Sequence, residues 1–374
     1  MKITIDATGL SPHKTGTVTY LVEILAQWNS DRTIAHDFVI FCTIQTRHHF
    51  DELQLDKRFL LSIVPVRKLM QMMWQQTVLP LFLLRHKVDV HWGPGFVLPL
   101  LVVCPMVVTI HDMTFDLFPE AHEPIKRLYF PFMIRRAVKR ASRVLVDSGS
   151  TANDLDRLIP GSAEKTVVAH LAARTLNVKS ALPNLDDRYS APGNPVSGLY
   201  VLFIGTLEPR KNLHRLLQAW KQLSVDDRFE NRLIVVGVKG WMVEQLEDQG
   251  NDNVEFVGHV PDHQLQAYLR GASCFVYPSL YEGFGLPVVE AMAAGIPVLT
   301  SNVGATREIA RGAAVLVDPM SVKDIVDGLH KLLTDLNLRQ QLSEAGIKRA
   351  GEFSWEVTAK LTLKTLVGAK SASR

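Results

Sequence analysis

Residues 282–290 of this 374-residue chain read EGFGLPVVE. The pattern predicts a glycine-rich turn that runs directly into a helix. Gly283 and Gly285 carry no Cβ, so each permits a positive φ and a close approach of the backbone to a ligand. Pro287 suits the first helical position, where its missing N–H costs nothing. We expect the helix to run from Pro287 to about Ala294.

Two carboxylates bracket this turn. Glu282 is expected on the loop and Glu290 in the fourth helical position. The free N–H groups and positive dipole end of such a helix favour anions, phosphate above all. The carboxylates are suited to accept hydrogen bonds from sugar hydroxyls, so the block has the chemistry of a sugar-nucleotide site. The alternative is that both glutamates only complement the helix dipole.

Bulk properties limit the class of protein. A chain of 374 residues exceeds the usual size of one hydrophobic core, so two domains are expected. A net charge of +3 gives no general case for nucleic-acid binding. The three cysteines show no CxxC or metal spacing, which is typical of reduced core residues in a cytosolic protein.

Targeting signals are not expected. The N-terminus, MKITID, is a predicted strand rather than a signal peptide, because an acidic residue interrupts it early. The longest apolar run, residues 96–110, contains two prolines and falls short of the ~18–20 residues that span a bilayer. We therefore predict no transmembrane helix.

Short Val/Ile-rich runs alternate with segments of helical periodicity, which indicates parallel sheets covered by helices. In the first half the predicted strands are 2–6, 37–42, 88–92, 106–110, 143–146 and 167–170. The predicted helices there are 17–28, 70–85, 124–140 and 150–158.

A second series follows a polar, turn-rich stretch at 183–198, the predicted linker. Its predicted strands are 200–204, 232–236, 254–256, 274–277, 298–300 and 314–317. Its predicted helices are 212–222, 241–247, 263–270, 287–294, 306–310, 321–334 and 336–350. The fold class is therefore α/β, with two doubly wound, Rossmann-like domains facing across a cleft that holds the ligand.

Two adjacent cations follow the first strand of the second series, in the sequence GTLEPRKN at 205–212. Arg210 offers a bidentate fork for phosphate, and Lys211 a mobile point charge. The pair suits a diphosphate with no metal present, ahead of a helix capped at or near Asn212. The alternative is a solvated Arg-Lys turn.

Two further strand ends carry candidate residues. His111 and Asp112 follow a buried strand, where a histidine can bind a sugar hydroxyl or exchange a proton. The alternative is a structural histidine that hydrogen-bonds the following loop. The loop around Gly16 follows the first strand and would bring backbone N–H groups toward a phosphate or an acceptor. GxGxxG, HExxH and a strand-end DxD are all missing from the sequence, so neither a dehydrogenase nor a metal site is expected.

Residues 126–143 contain seven Lys and Arg residues and no acid, interleaved with large apolar side chains. This pattern is typical of a surface that lies on anionic lipid. Residues 69–74 (LMQMMW), which are mostly apolar, would extend that surface. The alternative for 126–143 is the solvated basic face of an ordinary amphipathic helix, and the alternative for 69–74 is the core-facing side of a helix.

The motifs at Gly16, His111, 208–213 (EPRKNL) and 282–290 together resemble the family-4 retaining glycosyltransferases of the GT-B fold. The resemblance covers nearly the whole chain. The wording TIHD at 109–112 and FSW at 353–355 is most similar to bacterial mannosyltransferases of surface-polysaccharide assembly that use GDP-mannose.

The resemblance implies a domain arrangement and a metal-free mechanism. Residues 1–182 would bind the acceptor and 199–352 the nucleotide sugar, with a helix in 353–374 crossing back to the N-terminal domain. Leaving-group stabilisation by fixed positive charge would replace a metal ion. The acceptor would be a lipid-diphosphate-linked saccharide in polysaccharide or O-antigen synthesis, at the inner face of the cytoplasmic membrane.

The resemblance also implies roles for the residues around the donor. Glu282 would hold the transferred hexose together with the turn amides, Glu290 would bind the ribose, and Arg210 and Lys211 would neutralise the diphosphate. The turn residues concerned are Gly283, Phe284, Gly285 and Leu286.

The remaining implied contacts lie outside the blocks 208–213 and 282–290. His111 would hold the 6-hydroxyl of the sugar, and the base would lie near Gly237, His259 and Val260. One departure concerns Thr206, which stands where many relatives have an arginine that binds phosphate. Alternatives that stay open are a UDP-sugar-dependent hexosyltransferase, a nucleotide-sugar epimerase and a non-catalytic nucleotide-sugar-binding partner.

Overall fold

The computed structural model describes residues 1–65, 68–101, 103–174, 196, 198–223, 231–238 and 253–371. The chain divides into two compact units. The first comprises Met1–Leu171 together with Ser354–Arg374, and the second comprises Ala172–Phe353. The predicted linker at 183–198 lies outside the described residues, apart from Val196 and Gly198.

The first unit contains a seven-stranded sheet, as far as its described residues show. Its strands are β1 (Lys2–Asp6), β2 (Asp37–Cys42), β3 (Phe59–Ile63), β4 (Val90–Gly93), β5 (Met106–Ile110), β6 (Arg143–Val146) and β7 (Thr166–Val168). The spatial order is β3-β2-β1-β4-β5-β6-β7, and every pair is parallel. The order reverses direction at β1 and β4, which is where doubly wound sheets bind ligands.

Helices cover this sheet because parallel strands need long crossover connections. The longer helices of the unit are Gly16–Ser30, Lys68–Arg85, Pro124–Arg140, Gly149–Leu158 and Trp355–Ser371. Short helices lie at His48–Asp51 and Thr114–Leu117. The last long helix packs on the first, where Trp28 Nε1 donates to the Ala359 carbonyl at 3.0 Å.

The second unit contains a six-stranded parallel sheet, counted over its described residues. Its strands are β8 (Leu199–Ile204), β9 (Asn231–Val236), β10 (Val254–Gly258), β11 (Cys274–Tyr277), β12 (Val298–Ser301) and β13 (Val315–Val317). They are ordered β10-β9-β8-β11-β12-β13. The switch point therefore lies between β8 and β11, and the loops that follow these two strands meet at one edge.

The helices of the second unit are Leu213–Gln222, Asp262–Gly271, Leu286–Ala293, Gly304–Ala310, Val322–Thr334 and Leu336–Ala350. The predicted helix at 241–247 falls outside the described residues. No helix in the described ranges is long and apolar enough to cross a bilayer.

Candidate active site

Two loops at the switch point of the second sheet are tied together by hydrogen bonds. The loop after β8 contains the 3-10 turn Pro209–Lys211, and the loop after β11 runs to Gly285. The Leu280 N–H donates to the Arg210 carbonyl at 2.8 Å, and the Ser279 hydroxyl donates to the same oxygen at 3.1 Å. The two predicted motifs, 205–212 and 282–290, are thus brought together by the fold.

Glu282 lies at the centre of this contact, with its carboxylate buried. Oε1 accepts from Lys211 Nζ at 2.7 Å, from the Tyr277 hydroxyl at 2.9 Å and from the Ser279 hydroxyl at 2.6 Å. Oε2 lies 3.0 Å from Arg210 Nη1. Burial alone would raise the pKa of Glu282, but Arg210 and Lys211 outweigh it and lower the pKa to about 2. The carboxylate is therefore a fixed negative charge.

The structure limits the acceptor capacity that Glu282 can offer a ligand, and its predicted contact with the donor sugar stays a prediction. A carboxylate has about four acceptor positions, and here the protein's own donors take most of them. Glu282 therefore acts first as the partner that fixes the two cations, and its remaining capacity for a sugar hydroxyl lies on Oε2.

Lys211 is buried and held from two sides. Its ammonium donates to the Tyr277 hydroxyl at 2.6 Å as well as to Glu282, and it lies 5.2 Å from the centre of the Tyr277 ring. Burial lowers the pKa of Lys211, and Arg210 lowers it further, while Glu282 opposes both. An ammonium has three donors. Two of them are used by these described partners, which leaves one N–H for a ligand such as a phosphate oxygen.

Arg210 is fixed by backbone and carboxylate. Nη1 donates to the Tyr281 carbonyl and Nη2 to Glu208 Oε1, each at 2.5 Å. The solvated Arg-Lys turn is therefore not what the structure shows, since both side chains are largely enclosed. Asn212 stands at the predicted cap position with a φ of 62°, but its side chain donates to the Pro278 and Pro319 carbonyls rather than capping the helix.

The turn at 283–286 differs from the prediction in detail. Gly285 has a φ of 104° and is the N-cap, so the helix begins at Leu286 and Pro287 takes its second position. Gly283 is not among the residues with positive φ. The Phe284 ring is buried and packs edge-on against Phe353, with 5.7 Å between the ring centres.

Glu290 occupies the fifth helical position, not the fourth, and has a partner that the sequence did not indicate. Arg174 Nε donates to Oε1 at 2.6 Å and Nη2 to Oε2 at 3.1 Å, a bidentate ion pair. Glu290 is thus more than a dipole complement. A ribose contact would have to share or replace Arg174.

The other predicted donor residues lie at the same edge of the sheet. Gly237 follows β9, and a Cβ there would come within 1.8 Å of the Gly205 carbonyl oxygen, so packing alone requires glycine. His259 and Thr206 are exposed, while Val260 is buried. Their predicted contacts with the base and the phosphate stay predictions.

His111 belongs to the first unit, at the end of β5. Its Nδ1 lies 2.7 Å from Asp147 Oδ2, and its Nε2 lies 2.8 Å from the Pro94 carbonyl. Burial opposes protonation, but Asp147 outweighs it and raises the pKa of His111. Both ring nitrogens are therefore occupied, and the predicted contact with a sugar 6-hydroxyl would require Nε2 to leave Pro94. The structure shows the histidine bonded to the loop before β5 rather than to the loop after it, and the predicted sugar contact stays a prediction.

Gly16 is exposed and is the first residue of the helix Gly16–Ser30, directly after the loop that follows β1. It therefore stands at a helix N-terminus, as the phosphate or acceptor prediction requires, and no contact in the structure tests that role. Within the described ranges, no group of three or more His, Cys, Asp or Glu side chains is placed to hold a metal ion.

Two family profiles match the chain in succession. The family described as "Glycosyltransferase Family 4" matches residues 15–175, and the family described as "Glycosyl transferases group 1" matches residues 190–349. The O-antigen chain mannosyltransferase B of Escherichia coli is 33% identical over 280 residues, covering 72% of this chain and 72% of the relative. The chain belongs to the family-4 glycosyltransferases. It is accordingly a sugar-transferring enzyme.

Other relatives match shorter parts of this glycosyltransferase. The O-antigen chain mannosyltransferase RfbU of Salmonella typhimurium is 29% identical over 57% of the chain and 56% of the relative. The serotype-specific mannosyltransferase WbdA of Escherichia coli is 29% identical over 60% of the chain, which spans only 29% of that relative's length.

Solved structures establish the fold. HepE from Anabaena, in complex with UDP and glucose, aligns with a TM-score of 0.76 at 18% identity, over 98% of this glycosyltransferase and 100% of HepE. Sucrose-phosphate synthase from Thermosynechococcus elongatus aligns with a TM-score of 0.76 at 19% identity, over the whole of both chains. The two Rossmann-like units are those of the GT-B fold, which confirms the predicted fold class.

Proposed function

We propose that this glycosyltransferase transfers mannose from GDP-mannose, with retention of configuration, to a lipid-linked oligosaccharide in O-antigen or related polysaccharide synthesis. The observation that carries the proposal is the buried cluster of Arg210, Lys211 and Glu282 at the switch point of the second sheet. The E. coli and Salmonella relatives named as O-antigen mannosyltransferases support the choice of sugar and pathway.

The proposed chemistry depends on charge. The bond between the anomeric carbon and the diphosphate oxygen breaks, and the leaving diphosphate keeps the electron pair. The acceptor hydroxyl attacks from the same face, and its proton passes to a phosphate oxygen. Preorganised positive charge stabilises the developing negative charge at no cost of reorganisation. Arg210 and Lys211 supply that charge in the proposal, and no metal ion is needed.

Glu282 prepares this arrangement before the donor binds. Because it pairs with both cations, it holds their side chains in one geometry and offsets their mutual repulsion. The third N–H of Lys211 then remains for a phosphate oxygen, and Glu282 Oε2 for a sugar hydroxyl.

Replacing Glu290 by glutamine should raise the KM for the nucleotide sugar by roughly 10–100-fold, the size of a lost hydrogen bond to a charged group. The turnover number should change much less, because a ribose contact is made equally in the ground and transition states. Steady-state kinetics with varied donor measures both constants. Glu344→Gln, on the exposed surface of the same unit, is the matched control. An unchanged donor KM in Glu290→Gln would rule out the ribose role.

We propose that the enzyme is cytoplasmic and lies peripherally on the inner membrane face. The helix Pro124–Arg140 supports this, because Ile125, Leu128 and Phe132 are 76%, 80% and 52% exposed. Spacings of three and four residues place them on one face. Arg136, Lys139 and Arg140 of the same helix are exposed too. Arg135 differs, since it pairs with Asp116.

Replacing Arg136, Lys139 and Arg140 by serine should weaken binding to anionic vesicles roughly a hundredfold at low salt, at about 1 kcal/mol for each cation near the surface. The difference should shrink as salt screens the charges. Co-sedimentation with phosphatidylglycerol vesicles measures it. Serine at the exposed Lys221, Arg311 and Lys348 removes the same charge from the second unit and serves as the control. Equal sedimentation of the two triple variants would contradict the membrane assignment.

The donor is tested by thermal shift. A ligand that binds only the folded state stabilises it by RT ln(1 + [L]/Kd), so at equal concentration the tighter ligand raises the melting temperature more. GDP-mannose should stabilise the enzyme at lower concentrations than UDP-glucose or UDP-galactose. The reverse order would favour the UDP-sugar-dependent alternative.

A further inference from the structure

Tyr277 is the last residue of β11, at the edge of the second sheet where the two motif loops meet. Its side chain is completely buried. The hydroxyl accepts from Lys211 Nζ at 2.6 Å and donates to Glu282 Oε1 at 2.9 Å. A phenol oxygen can accept and donate at the same time. Tyr277 therefore links a cation and the carboxylate of the buried cluster, a role that the sequence did not indicate.

A second tyrosine of the same sheet shows how a buried hydroxyl is satisfied for packing alone. Tyr200 lies on β8, the strand that pairs with β11, and is as completely buried as Tyr277. Its hydroxyl donates to the Tyr268 carbonyl at 2.8 Å. A buried tyrosine needs such a partner, and a backbone carbonyl is sufficient. The Tyr277 hydroxyl instead contacts two charged side chains, which burial by itself does not require.

The ring of Tyr277 is fixed by contacts other than those of its hydroxyl. Its centre lies 5.9 Å from the ring centres of Phe203 and Phe275, and its backbone carbonyl accepts from the Thr300 hydroxyl at 2.8 Å. Lys211 Nζ lies 5.2 Å from the ring centre but only 2.6 Å from the hydroxyl oxygen, which places it beyond the hydroxyl rather than over the face of the ring. The hydroxyl, not the ring, therefore holds the ammonium.

The hydroxyl holds Lys211 without cancelling its charge. Glu282 pairs with both cations of the cluster, and Arg210 also pairs with Glu208, so two carboxylates already offset these two cations. Burial raises the pKa of Tyr277 well above its usual value, and the charge of Glu282 raises it further. The phenol therefore stays neutral. A neutral acceptor fixes the ammonium and adds no negative charge that would repel a diphosphate.

We propose that Tyr277 is a positioning residue for sugar transfer, whose hydroxyl holds the Lys211 ammonium so that its third N–H meets the leaving diphosphate. The inference rests on the proposed function, since it assigns a further residue to the same reaction. Without the hydroxyl, Glu282 is the one hydrogen-bond partner that Lys211 Nζ keeps among the described residues. The hydroxyl also favours the charged form of Lys211, because it accepts from the ammonium. Burial and Arg210 oppose that form, whereas Glu282 and Glu208 support it.

Tyr277→Phe in the full-length enzyme keeps the ring and removes only the hydroxyl. With GDP-mannose and lipid-linked oligosaccharide, its turnover number should fall roughly tenfold, the lower end of the range for a hydrogen bond to a charged group, while the donor KM changes less than about threefold. The alkaline limb of the plot of turnover number against pH should move to lower pH by about one unit, because a tenfold weaker preference for the ammonium corresponds to that change. Tyr200→Phe, which removes a buried hydroxyl from the neighbouring strand, should match wild type in both measurements. Equal effects of the two substitutions, or an unmoved alkaline limb in Tyr277→Phe, would overturn the assignment.

The position of the ammonium is also measured without any nucleotide, so that the two proposals fail separately. Nitrogen-15 relaxation of the lysine ammonium groups, with the Lys211 signal assigned through Lys211→Met, should show Lys211 immobile and the exposed Lys221 mobile in wild type. Lys211 should gain mobility in Tyr277→Phe and stay immobile in Tyr200→Phe. A mobile Lys211 in wild type would refute the positioning role, whether or not the variants fold. An ammonium released by Tyr277→Phe, together with no transfer from any donor, would support the contact and refute the proposed reaction.

Discussion

Replacing Lys211 by alanine should lower the rate of sugar transfer by roughly 10²–10³, the effect of removing one preorganised charge-stabilising donor. The physical reason lies in its surroundings. The ammonium is buried and fixed by Tyr277 and Glu282, and the proposal assigns its third N–H to the leaving phosphate. Arg210→Ala should have an effect of the same size. The turnover number, measured with saturating donor and acceptor, is the quantity to compare.

Loss of packing must be separated from loss of charge. Lys211→Met keeps most of the apolar stem and removes only the ammonium, so it should be nearly as slow as Lys211→Ala. Lys221→Met, at an exposed position on the following helix, should transfer sugar at the wild-type rate. Near-wild-type turnover in both Lys211→Met and Arg210→Ala would eliminate the charge-stabilisation role.

Replacing Glu282 by alanine should destabilise the fold by about 3–5 kcal/mol, as expected when one partner of a buried ion pair is removed. Arg210 and Lys211 would then repel each other without a counter-charge between them. Glu282→Gln keeps two polar atoms that can bond the same neighbours, so it should destabilise less. Urea unfolding of both variants, with Glu344→Gln as an exposed control, gives the free energies directly. A fall of less than about 1 kcal/mol in the free energy of unfolding of Glu282→Ala would contradict a stabilising role for this buried carboxylate.

The same carboxylate predicts a dependence on pH. Its pKa falls from 4.5 to about 2 on folding, so the folded state favours its ionised form. The stabilisation is therefore complete above about pH 4.5 and is lost as the pH falls toward 2. The stability difference between wild type and Glu282→Gln should stay constant above pH 4.5 and shrink below it. A stability difference that grows as the pH falls would contradict a lowered pKa of Glu282 in the folded state.

The architecture was predictable from sequence because most strands here are buried on both faces and read as continuous apolar runs. Strand β3 was not predicted. It is an edge strand whose residues alternate irregularly between buried and exposed, so the run FLLSI fits neither a helix nor a strand pattern clearly. The one-turn helices His48–Asp51 and Thr114–Leu117 are too short for any period to appear. The start of the helix at Leu286 depends on Gly285 adopting a φ of 104°, which composition alone does not fix.

The site was predictable where its residues follow strands. Glu282, Arg210 and Lys211 were placed together because the loops after neighbouring parallel strands share one edge. The same rule could have found Asp147, which directly follows β6 and contacts His111. Arg174 had no such signal, since it lies 116 residues from Glu290 in the sequence and beyond the last strand of the first sheet. The pairing of Glu282 with both cations was also missed, because spacing shows proximity but not which donors a carboxylate accepts.

Transfer of labelled sugar tests the proposed mannosyl transfer directly. The purified enzyme is incubated with labelled GDP-mannose, and in parallel with UDP-hexoses, in the presence of lipid-linked oligosaccharide from a membrane extract. Label from GDP-mannose should enter the lipid-extractable saccharide with the anomeric configuration of the donor retained. Transfer from a UDP-hexose instead, inverted product, or isomerised nucleotide sugar formed without acceptor would contradict it.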